Sequence, residues 1–334
     1  MTSDALLVAL FLLAAVLSLG TSWILVSRLE RVGARLGLPE AVLGLVAALA
    51  ADAPEITAAV TAMVGHQSHI GAGVVIGSNV FNLAALLGLA ALVAGWIALH
   101  RRVIVLEAAV ALPVAGVTVA TVAGALPPAG GLAIVGLVLL LYAAALGLPG
   151  ALLRRLGLPS GLVRWISLAV REEELELEPS IHPRPGRAAD VLTAAGAVIV
   201  VVGASVGMEE AASHLGSRHG IPQIVVGALI LAVVTSIPNA VAAIYLARRG
   251  RGTATLSTAM NSNALNVLAG LMIPGAVVGL GASSPASTLA AAWYLGLTAF
   301  ALACAYAATG LRRLHGILIV SAYAAFVGLV LALA

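Results

Sequence analysis

Ten apolar stretches, each long enough to cross a lipid bilayer as a helix, constrain this fold more than any other feature. A membrane-spanning helix needs about 20 mostly apolar residues, and the chain is 61% hydrophobic and only 9% charged. The stretches lie near 5–26, 38–64, 70–98, 103–123, 129–147, 188–212, 222–247, 253–280, 287–308 and 313–333. We therefore predict an all-α integral membrane protein and exclude a water-soluble globule.

The distribution of arginine predicts how these helices are oriented. All 17 basic residues are arginine, and cytoplasmic loops of membrane proteins carry an excess of basic residues. With the N-terminus outside, the cytoplasmic loops (1–2, 3–4, 5–6, 7–8 and 9–10) hold Arg28, Arg31, Arg35, Arg101, Arg102, Arg154, Arg155, Arg164, Arg171, Arg184, Arg187, Arg248, Arg249, Arg251, Arg312 and Arg313. Only Arg218 lies in a loop on the outer side of the membrane. We predict a protein of a prokaryotic inner membrane with both termini outside, with the lipid bilayer as its partner and no nucleic-acid partner.

The chain is divided into two halves of similar pattern. A polar stretch, 150–187, separates a first five-helix repeat (1–149) from a second (188–334), and we interpret it as a cytoplasmic linker whose acidic run, 171–178, is a solvated loop. Four positions recur at an offset of 184: Pro54, Ser78, Asn79 and Asn82 against Pro238, Ser262, Asn263 and Asn266. Because five is an odd number, the second repeat crosses the membrane in the opposite sense. Inverted repeats are typical of secondary transporters, whose substrate site lies near the bilayer midplane.

A proline in each repeat predicts broken helices 2 and 7. Proline has no N–H and clashes with the preceding turn, so Pro54 frees the carbonyls of Ala50 and Ala51, and Pro238 acts in the same way one repeat later. Unpaired carbonyls in hydrocarbon cost several kcal/mol each. We expect a dehydrated cation to satisfy them.

Two acids lie deep in a predicted membrane helix. The other acids, among them Glu107 and Glu209, fall in loops or within about a turn of a predicted helix end, which leaves Asp52 and Glu55. Intramembrane acids are costly and usually functional, and residues three apart share one helix face. Together with Asn, Ser and carbonyl oxygens they are hard ligands suited to Na⁺ and Ca²⁺. The alternative is that the two acids are protonated, hydrogen-bonded packing residues with a structural role only.

The motifs in the two repeats resemble those of a known family. "GSNVFN" (77–82) after "APEI" (53–56), repeated as "NSNALN" (261–266) after "TSIPN" (235–239), is similar to the paired alpha-repeats of the sodium/calcium exchanger family, within the cation/calcium antiporter superfamily. The resemblance implies that helices 2, 3, 7 and 8 surround the ions and that helices 1 and 6 slide across them. It assigns ion ligands to Glu55, Ser78, Asn82, Ser262 and Asn266, and Na⁺-binding carbonyls or hydroxyls to Ala51, Asp52, Thr235 and Ser236.

The second alpha-repeat departs from the family pattern. The family has a glutamate after the second proline, where this chain has Asn239, and often has Gly-Thr-Ser before the first proline, where this chain has Ala51-Asp52-Ala53. We interpret Asp52 as compensation for the missing carboxylate, which leaves two acids near the site, and we include Asn239 in the predicted site. Both charges then lie on helix 2.

These features predict a secondary antiporter that exchanges Na⁺ or H⁺ for Ca²⁺ by alternating access, with no cofactor and no enzymatic activity. The alternative keeps the fold but carries Mg²⁺ or a monovalent cation, with proton coupling, because Asn239 replaces an acid. An intramembrane hydrolase and a channel are the other classes considered. The chain has no lysine and hence no GxxxxGK[ST] nucleotide motif, which argues against ATP-driven transport.

Overall fold

Membrane-length helices build nearly the whole molecule. The computed structural model of the chain describes residues 3–38, 40–177 and 187–333. Nine helices in these ranges are long and apolar enough to span a membrane, and the two segments of helix 2 make a tenth when counted as one span. Helices 1–5 are Asp4–Arg35, Glu40–Ala51 with Ala53–Val64, Ser68–Ala94, Arg101–Val122 and Pro128–Gly147. Helices 6–10 are Ala188–Arg218, Gln223–Arg248, Gly252–Val278, Pro285–Ala308 and Arg313–Leu333.

The predicted segmentation is confirmed, and the main difference is the length of helices 1 and 6. Both continue through their arginine-bearing ends, to Arg35 and Arg218, instead of stopping near 26 and 212. Arginine is a good helix former, so each helix continues past the end of its apolar stretch. The last six residues of helix 6, 213–218, are therefore helical.

Helices 3 and 8 form the centre of the protein. Their most apolar windows are 89% and 67% buried, whereas those of helices 1 and 10 are only 22% buried and present the remaining side chains to the surroundings. Helices 2 and 7 lie beside the central pair, and helices 1 and 6 pack along each other, with the hydroxyls of Ser18 and Ser205 2.7 Å apart. The four helices that the family resemblance places around the ions are therefore the interior ones.

Two asparagines join helix 3 to helix 8. The amide nitrogen Nδ2 of Asn79 donates to the backbone carbonyl of Asn263 at 3.1 Å, and Nδ2 of Asn263 donates to the carbonyl of Asn79 at 3.1 Å. Both residues are about 1% exposed or less. Because the two positions are equivalent in the repeats, the pseudo-two-fold axis that relates the repeats passes between them.

Glycine lets helix 3 approach helix 7 at backbone contact. A Cβ added at Gly77 would lie 2.3 Å from the carbonyl oxygen of Ala228, and one added at Gly227 would lie 2.3 Å from that of Ile70. Small residues at helix interfaces are the usual way in which membrane helices achieve close packing. The first repeat is thereby held tightly against the second.

Two short strands, which the sequence did not predict, connect loops of the two repeats. β1 (Trp96–Ala98) pairs antiparallel with β2 (Gly310–Arg312), so the 3–4 loop and the 9–10 loop lie on the same face of the molecule. The pairing satisfies backbone groups that leave the helices. We call this face, which also carries the 1–2, 5–6 and 7–8 loops, the arginine-rich face.

The linker is helical up to Leu177, whereas a solvated loop was predicted for 171–178. Short and long linker helices span Gly150–Arg155 and Ser160–Leu177, and the long one packs against helices 2, 4 and 8 at the arginine-rich face. Val163 and Ala169 are buried, and Glu172 forms an ion pair with Arg102. The bundle therefore covers the apolar side chains Val163 and Ala169 of this helix. Residues 178–186 lie outside the described part of the chain.

The other membrane face is also defined by contacts between loops. Arg218 at the end of helix 6 pairs with Asp4 at the start of helix 1 at 2.9 Å, and the hydroxyl of Ser213 donates to the side-chain oxygen of Gln67 in the 2–3 loop at 2.6 Å. We call this the opposite face.

We expect Gly77→Ala to destabilise the protein, because its methyl group would overlap the Ala228 carbonyl. Overpacking of this kind costs about 1–3 kcal/mol. The measurement is thermal unfolding in detergent, with Gly196→Ala as the matched control, since a Cβ at Gly196 meets nothing within 4 Å. Equal stability of the two variants would contradict the backbone contact.

We expect Asn263→Ala to lower the unfolding midpoint as well. It removes the side-chain donor to the buried Asn79 carbonyl, which keeps only the backbone N–H of Leu83, and it removes the side-chain acceptor that Asn82 uses at 3.1 Å, at a cost of about 1–2 kcal/mol. Ser257→Ala on the same helix is the control, because the Ser257 hydroxyl is buried without a hydrogen-bond partner. An Asn263→Ala midpoint no lower than that of the control would refute the role of the asparagine pair.

Candidate ion-binding site

Helix 2 bends by 55° at Asp52, as predicted from Pro54. The helix resumes at Ala53, with Pro54 in its first turn, where a missing N–H removes no helical bond. Asp52 is the residue between the segments, with its N–H donating to the Ala48 carbonyl and its own carbonyl accepting from Ile56. The bend therefore places an acid at the junction, in the interior of the protein.

A serine of helix 1 contacts the carbonyls that Pro54 was expected to free. The hydroxyl of Ser22 lies 3.0 Å from the Ala50 carbonyl oxygen and 3.4 Å from that of Ala51. The Ser22 hydroxyl occupies one lone pair, and a carbonyl oxygen has a second, so binding of a cation to these carbonyls stays a prediction.

Helix 7 differs from the prediction of a broken helix. Its α-helix runs from Ala232 to Arg248 with Pro238 inside, and a π-helical segment, Val226–Leu231, precedes it. Proline removes one amide donor, which a kinked helix tolerates without separating into two segments. The Thr235 hydroxyl donates within the helix, to the Leu231 carbonyl at 2.9 Å.

Asp52 accepts hydrogen bonds from two residues of the second repeat. Its Oδ1 receives Nδ2 of Asn239 at 2.7 Å and the hydroxyl of Ser262 at 2.5 Å. Asn239 also donates to the Ser262 hydroxyl oxygen at 3.2 Å. Asp52 is 0% exposed, so it faces the interior cluster rather than lipid or solvent.

Glu55 also accepts hydrogen bonds from the second repeat. The hydroxyl of Ser236 donates to its Oε1 at 2.5 Å, and Nδ2 of Asn266 donates to its Oε2. Glu55 is 1% exposed and lies one helical turn from Asp52. The two acids therefore form two adjacent hydrogen-bonded groups.

These contacts follow the two-fold symmetry that relates the repeats, whereas both negative charges belong to the first repeat. At an offset of 184, Asp52 corresponds to Ser236, and Glu55 corresponds to Asn239. The Asp52–Asn239 and Glu55–Ser236 hydrogen bonds are therefore one contact seen from either repeat. The second repeat supplies neutral donors where the first supplies carboxylates.

Helices 3 and 8 close the site from the remaining sides. Asn82 donates to the side chain of Asn263, and Asn266 lies 3.4 Å from the side-chain oxygen of Asn79. π-Helical segments begin directly after Asn82 and at Asn266, and such segments are frequent at functional sites. The Ser78 hydroxyl donates to the Val74 carbonyl of its own helix at 2.7 Å.

Three oxygens in the cluster have no hydrogen-bond donor. They are Oδ2 of Asp52, Oδ1 of Asn82 and Oδ1 of Asn266, and all three are buried. An unsatisfied buried acceptor costs free energy, and a cation or a proton removes that cost. Within the described residues no group of three or more His, Cys, Asp or Glu forms a metal site, so a cation here would need hydroxyl, amide and carbonyl oxygens in addition to the two carboxylates.

The predicted site residues thus fall into three groups. Those hydrogen-bonded to each other across the repeats are Asp52, Glu55, Ser236, Asn239, Ser262 and Asn266. Asn82 reaches them through Asn263, and Ala51 meets Ser22 of helix 1. Ser78 and Thr235 direct their hydroxyl hydrogens to their own helices, and their oxygens keep acceptor capacity.

Four polar residues of the interior were not predicted to belong there. Asn79 and Asn263 were part of the repeat pattern but received no role, although their recurrence was the available signal. Glu107 and Glu209 were placed near helix ends, and they are instead 0% and 3% exposed. Glu107 accepts from the Tyr142 hydroxyl at 3.0 Å. Helix 6 extends nine residues beyond Glu209, which the apolar pattern alone did not reveal.

Solved structures of ion exchangers share this fold. The sodium-calcium exchanger NCX_Mj soaked with 2.5 mM Na⁺ and 10 mM Sr²⁺ aligns over 98% of this chain and 99% of its own, with 20% identity and a TM-score of 0.60. The crystal structure of the H⁺/Ca²⁺ exchanger CAX aligns over 98% of this chain and 87% of its own, with 15% identity and a TM-score of 0.69. At these identities the likeness concerns the fold.

Curated relatives match shorter parts of the sequence. Sodium/potassium/calcium exchanger 1 of Mus musculus is 31% identical over 96 residues, which are 29% of this chain and 8% of that protein. Sodium/potassium/calcium exchanger 4 of Mus musculus is 38% identical over 60 residues, 18% of this chain and 10% of that protein. The matched regions therefore span about a tenth of these relatives.

The family assignment rests on a match over most of the chain. The sequence profile of the family described as "Sodium/calcium exchanger protein" matches residues 6–163 and 190–332, which covers both repeats. Together with the shared fold of two inverted repeats, this match shows that the protein is a membrane transporter and not an enzyme. The chain belongs to the sodium/calcium exchanger family.

Proposed function

We propose that this protein is a secondary antiporter that exchanges Na⁺ or H⁺ for Ca²⁺ by alternating access, with the cation held at Asp52 and Glu55. One observation carries the proposal: the two carboxylates share an interior site, and their hydrogen-bond partners in the described chain are neutral hydroxyls and amides. Buried charges need a counter-charge or a proton. The two negative charges of these carboxylates, which have no basic partner among the described residues, equal the positive charge of one divalent cation or of two monovalent cations.

The chemistry of the ligand atoms favours a hard cation. Ca²⁺ takes about six to eight oxygens, including carboxylates, amide carbonyls and backbone carbonyls. The free acceptors of Asp52, Asn82 and Asn266 are all of this kind. Further candidate ligands are the second oxygen lone pairs of Glu55, Ser78, Ser262 and the Ala51 carbonyl, with Thr235 and Ser236 contributing to Na⁺ sites.

Exchange follows from competition for the same oxygens. A proton on either carboxylate, or Na⁺ beside it, removes the charge and the lone pairs that Ca²⁺ requires, so the two cargoes exclude each other. Among the described residues, four hydrogen bonds to the two acids cross between the repeats, from Ser236, Asn239, Ser262 and Asn266. A shift of one repeat against the other therefore changes both carboxylates together, which links occupancy to conformation.

A second candidate is the same fold carrying Mg²⁺ or a monovalent cation, coupled to protons. The observation that favours it is the neutral second repeat, with Asn239 and Asn266 facing the two acids. Amides in place of carboxylates lower the total negative charge, and ligand charge tunes cation affinity.

We also propose that the arginine-rich face is cytoplasmic and that the membrane is a prokaryotic inner membrane. The support is the location of the arginine-bearing loops on one face, since cytoplasmic loops carry the excess of basic residues. Both termini then lie outside.

We expect purified protein in proteoliposomes to take up ⁴⁵Ca²⁺ when an outward Na⁺ gradient, or failing that an outward proton gradient, is imposed. Glu55→Gln and Asp52→Asn should each reduce uptake by about tenfold or more, because loss of one group around a metal commonly costs about 10- to 100-fold in affinity. Ser257→Ala is the control that should transport like wild type. Retained uptake in Glu55→Gln would refute the assigned site. Uptake of Mg²⁺ or a monovalent cation without Ca²⁺ would select the second candidate.

The position of the second acid gives a sharper test. Asp52→Ser combined with Asn239→Glu moves one carboxylate from helix 2 to helix 7 while keeping the total charge, and it makes the two repeats identical at these positions. We expect uptake to fall by about tenfold or more in Asp52→Ser alone and to recover at least in part in the double variant. Failure of the double variant, when it is folded and monodisperse, would show that Asp52 does not replace the second-repeat acid.

A further inference from the structure

A further buried acid, on helix 6, lies outside the ion site. Glu209, on helix 6, is 3% exposed, and its Oε1 has no hydrogen-bond partner. Its neighbour Glu210 is exposed. A carboxylate in this position is costly as an anion, and none of the contacts described for the ion site involves it.

Polar side chains continue from Glu209 in both directions along helix 6. Ser205, Glu209 and Ser213 are spaced by four residues and so lie on one face of the helix. Ser213 reaches Gln67 at the opposite face, with 2.6 Å between the two oxygens. Glu209 is therefore one turn from a side chain at the membrane surface.

Towards the interior, the same face leads to the bend of helix 2. The Ser205 hydroxyl lies 2.7 Å from that of Ser18 on helix 1, and Ser22, one turn further, donates to the carbonyl of Ala50. Ala50 is two residues before Asp52. A line of buried polar groups thus runs between helices 1 and 6, and Glu209 is its one acid.

No basic side chain is placed to neutralise Glu209 among the described residues. The elements packed against helix 6 are helix 1, both segments of helix 2 and the beginning of helix 7. Residues 53–64 contain only Glu55, which is engaged with the second repeat, and residues 223–231 contain no charge. His66 and His214 are exposed at the opposite face. The charged residues of helix 1 are Asp4, Arg28, Glu30, Arg31 and Arg35. Asp4 forms an ion pair with Arg218, and Arg28 and Arg31 form ion pairs with Asp190.

The ligand that fits this environment is a proton. A divalent cation needs several oxygen ligands, and the described residues form no cluster of acids around Glu209. We propose that Glu209 is a proton-binding site on the face of helix 6 that carries Ser205 and Ser213, reached from the opposite face past Ser213. The proposal is independent of which cation the main site carries, although its effect on transport rests on the proposed antiport.

The protonation step has a simple balance. A proton from water binds one oxygen of the Glu209 carboxylate, which becomes neutral and fits the buried position between the helices. When helices 1 and 6 move apart and water reaches the carboxylate, the proton returns to water. Proton binding at Glu209 therefore favours the packed arrangement of these helices, and the transport cycle acquires a dependence on pH that does not arise from Asp52 or Glu55.

The test compares the pH dependence of Na⁺-driven ⁴⁵Ca²⁺ uptake, at equal pH on both sides of the vesicle, in wild type, Glu209→Gln and the control Glu210→Gln. The uptake rates of wild type and the control should change by about fivefold or more between about pH 6 and about pH 9, whereas that of Glu209→Gln, which is permanently neutral, should change at least about threefold less. Glu209→Asp should retain the dependence. A Glu209→Gln profile identical to that of wild type would overturn the proposal.

A second measurement reads the proton without transport. Dicyclohexylcarbodiimide partitions into membranes and modifies protonated carboxyl groups in apolar surroundings. Peptide mapping of wild-type protein should find an adduct at Glu209 that diminishes as the pH is raised, and none at Glu210. No adduct at Glu209 at acidic pH would refute the proton site, even if Glu209→Gln fails to fold. If wild type transports no cation at all, the antiport proposal fails, and the labelling result still decides whether Glu209 binds a proton.

Discussion

The structure depends on the burial of two carboxylates inside a membrane protein. Neither Asp52 nor Glu55 has a basic partner among the contacts described, and each is held by hydroxyl and amide donors from the other half of the chain. Satisfying a buried acid requires donors at hydrogen-bond distance, so the repeats must meet face to face at this point. The reciprocal asparagine pair and the glycine contacts between helices 3 and 7 hold the repeats in that position.

A symmetric scaffold therefore carries an asymmetric charge distribution. The same contact occurs on both sides of the pseudo-two-fold axis, with Asp52 opposite Asn239 and Ser236 opposite Glu55. The acids belong to the first repeat and the neutral donors to the second. A cation at the axis is consequently drawn towards helix 2, whereas the hydrogen bonds that orient its ligands depend on helices 7 and 8. Both repeats are needed for one site, and this is the physical basis for coupling occupancy to relative movement.

Helices 1 and 6 add a second interior environment. They present much of their surface outward and pack along each other, yet they bury Ser18 and Ser205 at their contact, and helix 6 also buries Glu209. Because Ser22 contacts the carbonyls beside Asp52, a movement of this helix pair changes the surroundings of the ion site directly. The protonation of Glu209 would then act on the same movement from the other end of the interface.

The sequence by itself determined the number of helices, the inverted repeat, the bend at Pro54 and the two interior acids Asp52 and Glu55, because these follow from the length of the apolar stretches, from proline chemistry, from a fixed offset of 184 and from the position of charge within an apolar stretch. Only the tertiary structure decided which donor meets which acid, since those partners are 181 to 211 residues apart and no local pattern encodes their contact. Packing also decided that helix 7 stays continuous through Pro238, that the linker docks as a helix, and that Glu209 is buried. Burial depends on what lies beside a helix, whereas periodicity reports only the helix itself.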